Sequence, residues 1–80
     1  MTALEDHILY MRPTCPYCIK VLRYMDAHDI QMELRNIQDA ALARELVAIG
    51  GKQQVPCLVI GGTAMYESDD IIAYLAGHPA

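Results

Sequence analysis

The feature that most constrains this chain is Cys15-Pro16-Tyr17-Cys18, two thiols three residues apart at the opening of an amphipathic run. Before it, His7–Arg12 (H-I-L-Y-M-R) is short and mostly apolar and ends at Pro13-Thr14, the pattern of a buried strand followed by a turn. After it, Cys18, Val21, Leu22 and Met25 recur at i, i+3, i+4 and i+7, which predicts one face of a helix. Lys20, Arg23 and Asp26 fall on other faces. Pro16 suits the first helical position, because its φ is already helical and its missing N–H would have had no partner there. Cys15 is thereby put at a helix start, where free N–H groups and the positive end of the dipole favour an anion.

A thiol attacks only as the thiolate, so a redox enzyme has to lower the pKa of one cysteine. The local charge agrees. Between Asp6 and Asp26 there is no carboxylate, whereas Arg12, Lys20 and Arg23 are present. Cys18, on the apolar face, is expected to be more buried and to remain a thiol. The roles follow: Cys15 attacks and Cys18 resolves. A zinc half-site is the alternative use of C-x-x-C, but a structural site needs two more ligands. Only Cys57 and His7, His28 and His78 remain, scattered and unpaired, and no metal is expected. The three histidines read as surface or packing residues, and Met11, Met25, Met32 and Met65 as core filler.

The rest of the chain supplies one small α/β unit. Gln31–Ile37 reads as a strand with one wetter face. Asp39 can cap a helix over Ala40–Ile49, with Leu42, Leu46 and Ile49 aligned and Gly50-Gly51 ending it. Cys57–Ile60 is an apolar strand, Gly61-Gly62 a hairpin turn, and Thr63–Tyr66 the returning strand. Ser68 is the expected N-cap of a last helix. Asp69 and Asp70 stand in its first turn, Ile71, Ile72 and Leu75 form its stripe, and Gly77 with Pro79 ends it. The order β-α-β-α-β-β-α predicts a four-stranded mixed sheet flanked by three helices, a single domain over residues 1–80, with the first two strands parallel.

Composition narrows the partners. The chain is 54% hydrophobic and 20% charged with a net charge of −4, a folded sequence with an acidic balance. That balance argues against nucleic acid and against an anionic membrane surface. Residues 1–7 carry two acids and no base, unlike a signal peptide, and no run approaches the roughly 18 apolar residues of a membrane span. Three cysteines do not read as a secreted disulfide framework, so a cytoplasmic monomer is expected.

Three segments resemble the glutaredoxin family over nearly the whole chain: Cys15-Pro16-Tyr17-Cys18, Gln54-Val55-Pro56, and Ser68-Asp69-Asp70-Ile71. The resemblance implies a thioredoxin-like fold and glutathione as co-substrate. It implies a cis Val55–Pro56 bond, with the Val55 backbone pairing with the cysteine of glutathione. It gives Ser68 and Asp69 to the γ-glutamyl group, Arg12 to the thiolate and the glycyl carboxylate, and Tyr17 to the side of the bound tripeptide; Lys52 is a further candidate for the glycyl carboxylate. Gln54 departs from the Thr common before Val–Pro. Gly51–Pro56 with Tyr66-Glu67-Ser68 is similar instead to the glutathione-transferase-like branch, in which Glu67 and Ser68 grip the γ-glutamyl group. Transferases add an all-helical domain for their second substrate, and this chain stops after the third helix, so the expectation is a reductase. Its expected partners are glutathionylated or disulfide-containing proteins and, through glutathione disulfide, glutathione reductase. Two alternatives stay open: a dithiol donor reduced by a flavoprotein reductase, and a glutathione-binding or iron–sulfur carrier module. Cys57 reads as a core residue, or as a further redox-sensitive thiol.

Overall fold

A computed structural model describes residues 2–77. Its elements are β1 (Thr2–Met11), α1 (Pro16–Ala27), β2 (Ile30–Asn36), α2 (Ala40–Gly50), β3 (Cys57–Ile60), β4 (Thr63–Met65) and α3 (Ser68–Ala76). The sheet order is β2-β1-β3-β4, with β1 and β2 parallel and the other two pairings antiparallel. The predicted element order and mixed sheet are therefore met.

The alternation of β1 and β3 builds the molecule. Leu9, Met11 and Leu58 face one side, where they meet Cys18, Val21 and Met25 of α1 and Ile71 and Leu75 of α3. Tyr10, Cys57 and Val59 face the other, where they meet Ile37 and Ala43 and Leu46 of α2. Side chains of a strand point alternately to opposite faces, so two central strands with helices on both sides read as unbroken apolar runs. Leu9 pairs with Leu58 and Tyr10 with Cys57. The first strand is longer than the apolar run His7–Arg12. It begins at Thr2, and its register on β2 shifts between Ala3 and Ile8, around Asp6 at φ 60°. Pairing of Thr2 and Ala3 with Ile30 and Gln31 of β2, not hydrophobicity, extends the strand, and at the irregularity the Asp6 carbonyl accepts from the Gly61 N–H instead.

Other departures share a cause: which side of an element faces its neighbour is a tertiary matter. In α2 the buried residues are Ala43 and Leu46, and Ile49 is exposed, because the helix rolls its small residue toward the sheet. In β2 Leu34 is exposed at the sheet edge. Arg35 reaches over the α2 side, donates to the Tyr10 hydroxyl at 3.2 Å, and pairs with Glu45. Tyr10 in turn donates to Glu45, so this trio ties β1, β2 and α2 together. Burial first, and then the Glu45 carboxylate, push the Tyr10 hydroxyl above its usual value. His7 is a packing residue: its Nδ1–H donates to the Glu5 carbonyl at 2.6 Å, and its Nε2 lies 2.8 Å from the Tyr74 hydroxyl. Gly77 is the C-cap of α3, while Pro79 and His78 lie outside the described residues.

The turns follow their chemistry. Asp39 accepts from the Ala41 N–H at 2.9 Å as the cap of α2. Gly61 and Gly62, at φ 55° and 89°, form the two-residue β3–β4 hairpin, whose twist requires positive φ at both positions. Gly50 has a different role. A Cβ there would collide with the hydroxyl and ring of Tyr66, which packs against the end of α2. Replacing a helical glycine by alanine ordinarily stabilises by about 0.5–1 kcal/mol. Here the sign reverses: Gly50→Ala is expected to cost about 1–3 kcal/mol in urea unfolding, partly recovered in the Gly50→Ala, Tyr66→Phe double variant.

Candidate active site

The turn that leaves β1 delivers Cys15 to the start of α1. The Cys15 N–H donates to the Arg12 carbonyl at 3.0 Å, and the Cys15 carbonyl accepts from Ile19 N–H at 2.9 Å, closing the first helical turn. Cys15 is the N-cap, in extended conformation, and Pro16 is the first helical residue, as the sequence predicts. Its thiol makes no capping hydrogen bond, yet it lies near the N–H groups of Tyr17 and Cys18. Partial burial pushes this thiol up. The Cys18 N–H, the Cys18 thiol, the Tyr17 N–H and the Arg12 charge together outweigh that, and the Cys15 pKa falls below its ordinary value.

Cys18 is its opposite. It is fully buried among Leu9, Val21 and Met25, and the Arg12 N–H donates to its sulfur at 3.4 Å. Burial, with the neighbouring Cys15 sulfur adding to it, pushes its thiol up to about 11. Two thiols one helical turn apart are thus shifted in opposite directions, the one at the mouth down and the one behind it up. Cys57 is fully buried in the second core, and burial raises its pKa too, so it sits there as a packed thiol with the Tyr66 hydroxyl against it. Among the described residues no three His, Cys, Asp or Glu side chains cluster as metal ligands would.

Beside this pair lies a cleft of about 440 Å³ lined by Tyr17, Gln54, Val55, Pro56, Glu67, Ser68 and Asp69. The loop before β3, the start of α3 and the first turn of α1 meet there. The Val55–Pro56 bond is cis, as the family resemblance implied. Tyr17 stands 65% exposed, a flat apolar wall at the rim. Gln54 Nε2 donates to Glu67 Oε1 at 3.4 Å. Ser68 is buried and is not the N-cap; that position is Glu67, whose side chain caps no N–H. The capping pattern misleads because Glu67 takes φ 74°, ψ 117°, a conformation that lets the chain enter α3 one residue earlier. Such a backbone is costly for a residue with a Cβ and tends to persist at functional sites.

Two predicted residues stand apart from the cleft lining. Arg12 is exposed on the β1–α1 turn, where its charge acts on Cys15. Lys52 lies over the Tyr66 ring, 4.5 Å from its centre, while the Tyr66 hydroxyl donates to the Lys52 carbonyl at 2.9 Å. Asp69 lines the cleft, but its carboxylate is in an ion pair with Lys20 of α1. Lys20 is the residue that sequence reasoning missed at this site. Its partner is 49 positions away, and nothing in helical periodicity could link them.

The model of the glutathione S-transferase N-terminal domain matches residues 9–80. The chain belongs to this family. Among curated proteins none matches by sequence. Solved structures similar to this N-terminal-domain family member include glutathione transferase Omega 3C from Trametes versicolor, with a TM-score of 0.78 and 23% identity. That alignment covers 99% of this chain and 38% of the transferase. A thioredoxin-like protein aligns with a TM-score of 0.74 and 20% identity, over 94% of this chain and 100% of its own. A buckwheat glutaredoxin–glutathione complex aligns with a TM-score of 0.69 and 19% identity, over 89% of this chain and 68% of its own. The fold of this family member is thioredoxin-like, and its likeness spans glutaredoxins and transferases alike, as Gln54 and Glu67-Ser68 suggested.

Two outcomes follow from the geometry. Iodoacetamide is expected to alkylate Cys15 far faster than Cys18 at pH 7. The Cys15 rate should reach half its plateau below pH 8.5, the usual value of a free thiol, as read by mass mapping across a pH series. Glu67→Gly is expected to stabilise the fold by about 1 kcal/mol in urea, since glycine takes this backbone without strain.

Proposed function

We propose that this protein is a glutathione-dependent thiol–disulfide oxidoreductase that reduces protein–glutathione mixed disulfides and protein disulfides. The observation that carries this reading is the opposition of Cys15 and Cys18, one pKa lowered and the other raised, beside a cleft formed at the start of α3. The Cys15 thiolate attacks the glutathione sulfur of a glutathionylated protein. The S–S bond breaks, the protein thiolate leaves and takes a proton, and glutathione remains bonded to Cys15. A second glutathione thiolate then attacks that glutathione sulfur and leaves as glutathione disulfide, carrying away the two electrons' worth of oxidation and freeing Cys15. For a protein disulfide, Cys18 closes the internal bridge instead, after losing its proton. Its high pKa makes it the slower nucleophile, which gives external glutathione time to compete.

In this reading the cleft holds the glutathione. Tyr17 flanks the peptide, the Val55 backbone pairs with its cysteine, and Ser68 with the N–H groups at the start of α3 takes the γ-glutamyl carboxylate. Glu67, assisted by Gln54, faces the γ-glutamyl ammonium. A helix N-terminus is suited to a carboxylate, because its N–H groups have no intrahelical acceptors. Arg12 serves the thiolate and the glycyl carboxylate. We assign the reaction to the cytoplasm, where glutathione is the prevailing reductant.

A second reading has one observation in its favour. Among the described residues no cation lines the cleft, which has two carboxylates, Glu67 and Asp69. A dithiol donor reduced by a flavoprotein reductase would need no grip on an anionic tripeptide.

Reduction of a glutathionylated peptide by glutathione, coupled to glutathione reductase, tests the first reading. Wild type and Cys18→Ser should both turn over, and Cys15→Ser should fall by at least about a thousandfold. Wild-type turnover only with thioredoxin reductase as electron source would transfer the protein to the second reading.

A further inference from the structure

The charges of the cleft do not match its proposed ligand. Glutathione carries two carboxylates and one ammonium, a net charge of −1 with its thiol protonated. Among the described residues the cleft lining has Glu67 and Asp69 and no cation. Asp69 is the sharper difficulty. It stands in the first turn of α3, where its own carboxylate is the anion that the free N–H groups of the helix would stabilise. Glu67 leaves those groups uncapped. A ligand carboxylate and the Asp69 side chain therefore want the same place.

The structure resolves this conflict from outside the cleft. Lys20, five residues beyond Cys15 on the exposed side of α1, pairs with the Asp69 carboxylate. The pair spans from α1 to α3, the two helices that flank the reactive thiol and the cleft. Both side chains are largely exposed, at 52% and 82%, so the pair adds little to the stability of the fold. An ion pair that contributes little to folding can still decide where a charge sits.

We propose that Lys20 is a positioning residue for the glutathionyl group: it draws Asp69 aside and neutralises it, leaving the N-terminus of α3 open to a ligand carboxylate. This rests on the glutathione reading above. It changes the role implied for Asp69 by the family resemblance. Asp69 is not the direct partner of the ligand ammonium; it is a carboxylate that must be held away, and Glu67 is left to meet the ammonium.

The proposal has a sign that separates it from the obvious alternative. If Lys20 merely competed with the ligand ammonium for Asp69, its removal would tighten binding. If it clears the helix start, its removal weakens binding, and removing the Asp69 charge as well repairs the defect. The experiment is steady-state reduction of the glutathionylated peptide by wild type, Lys20→Met and the Lys20→Met, Asp69→Asn double variant. Lys20→Met should raise KM for the glutathionylated peptide roughly two- to fivefold with kcat held, the scale of an exposed ion pair, and the double variant should return KM to within about twofold of wild type. A Lys20→Met KM that is unchanged or lower overturns the proposal, as does a double variant as weak as the single one. Failure of the underlying reading shows separately: the wild type itself would then not turn over with glutathione, whereas failure of this proposal alone leaves wild-type turnover intact.

Discussion

The site depends on a thiol, Cys15, whose anionic form is favoured by backbone N–H groups, the Cys18 thiol and a nearby charge rather than by one strong partner. Against the cost of partial burial, the Cys15 pKa is lowered by N–H groups at the first turn of α1, by the Cys18 thiol and by the Arg12 charge. That balance holds only while α1 starts where it does. The start is set by Pro16, by the Arg12–Cys15 turn, and by the anchoring of α1 through Cys18, Val21 and Met25 on the central sheet. Cys18 is thus also a core residue. The same burial that fastens the helix keeps the second thiol protonated.

The central strands make this anchoring possible. β1 and β3 are covered on both faces, so Leu9, Tyr10 and Met11, like Cys57, Leu58 and Val59, serve two cores in alternation. The carboxyl end of β1 then leads straight to the reactive thiol, at the edge of the sheet where α/β folds tend to bind ligands. The short β3–β4 hairpin returns the chain to the same edge, and Glu67 turns it into α3 with an unfavourable backbone. Strain at that single residue and an uncapped helix start coincide with the cleft. This is where a fold that satisfies its own groups elsewhere leaves some for a ligand.

Family membership and the fold's breadth are consistent with this economy. The thioredoxin-like scaffold positions the start of α1 at Cys15 and the start of α3 across the cleft. Which reaction is run is then decided by a few side chains at the rim. In this chain the rim carries Tyr17, Gln54, Glu67 and Asp69, with Lys20 paired to Asp69.

Much of this was legible in the sequence, because local rules produced it. Apolar runs and 3.6-residue periodicity located all seven elements, Pro16 marked the start of α1, Gly61-Gly62 marked the hairpin, and the Cys15–Cys18 spacing pointed to the thiol pair. The seven residues that line the cleft could also be named, but through resemblance to known families rather than from pattern. What tertiary structure alone decided lies in contacts between distant positions. Thr2 and Ala3 join β1 because β2 pairs with them through Ile30 and Gln31, and the Asp6 carbonyl accepts from the Gly61 N–H. Arg35 turns to Tyr10 and Glu45, and Lys52 to the Tyr66 ring, because packing puts those partners within reach. Ser68 loses the cap position to Glu67 because the hairpin delivers the chain to α3 at that angle. Lys20 meets Asp69 because α1 and α3 lie on the same face of the sheet. Periodicity reports which residues an element buries; it is silent on which charge, 49 residues away, will face the one left outside.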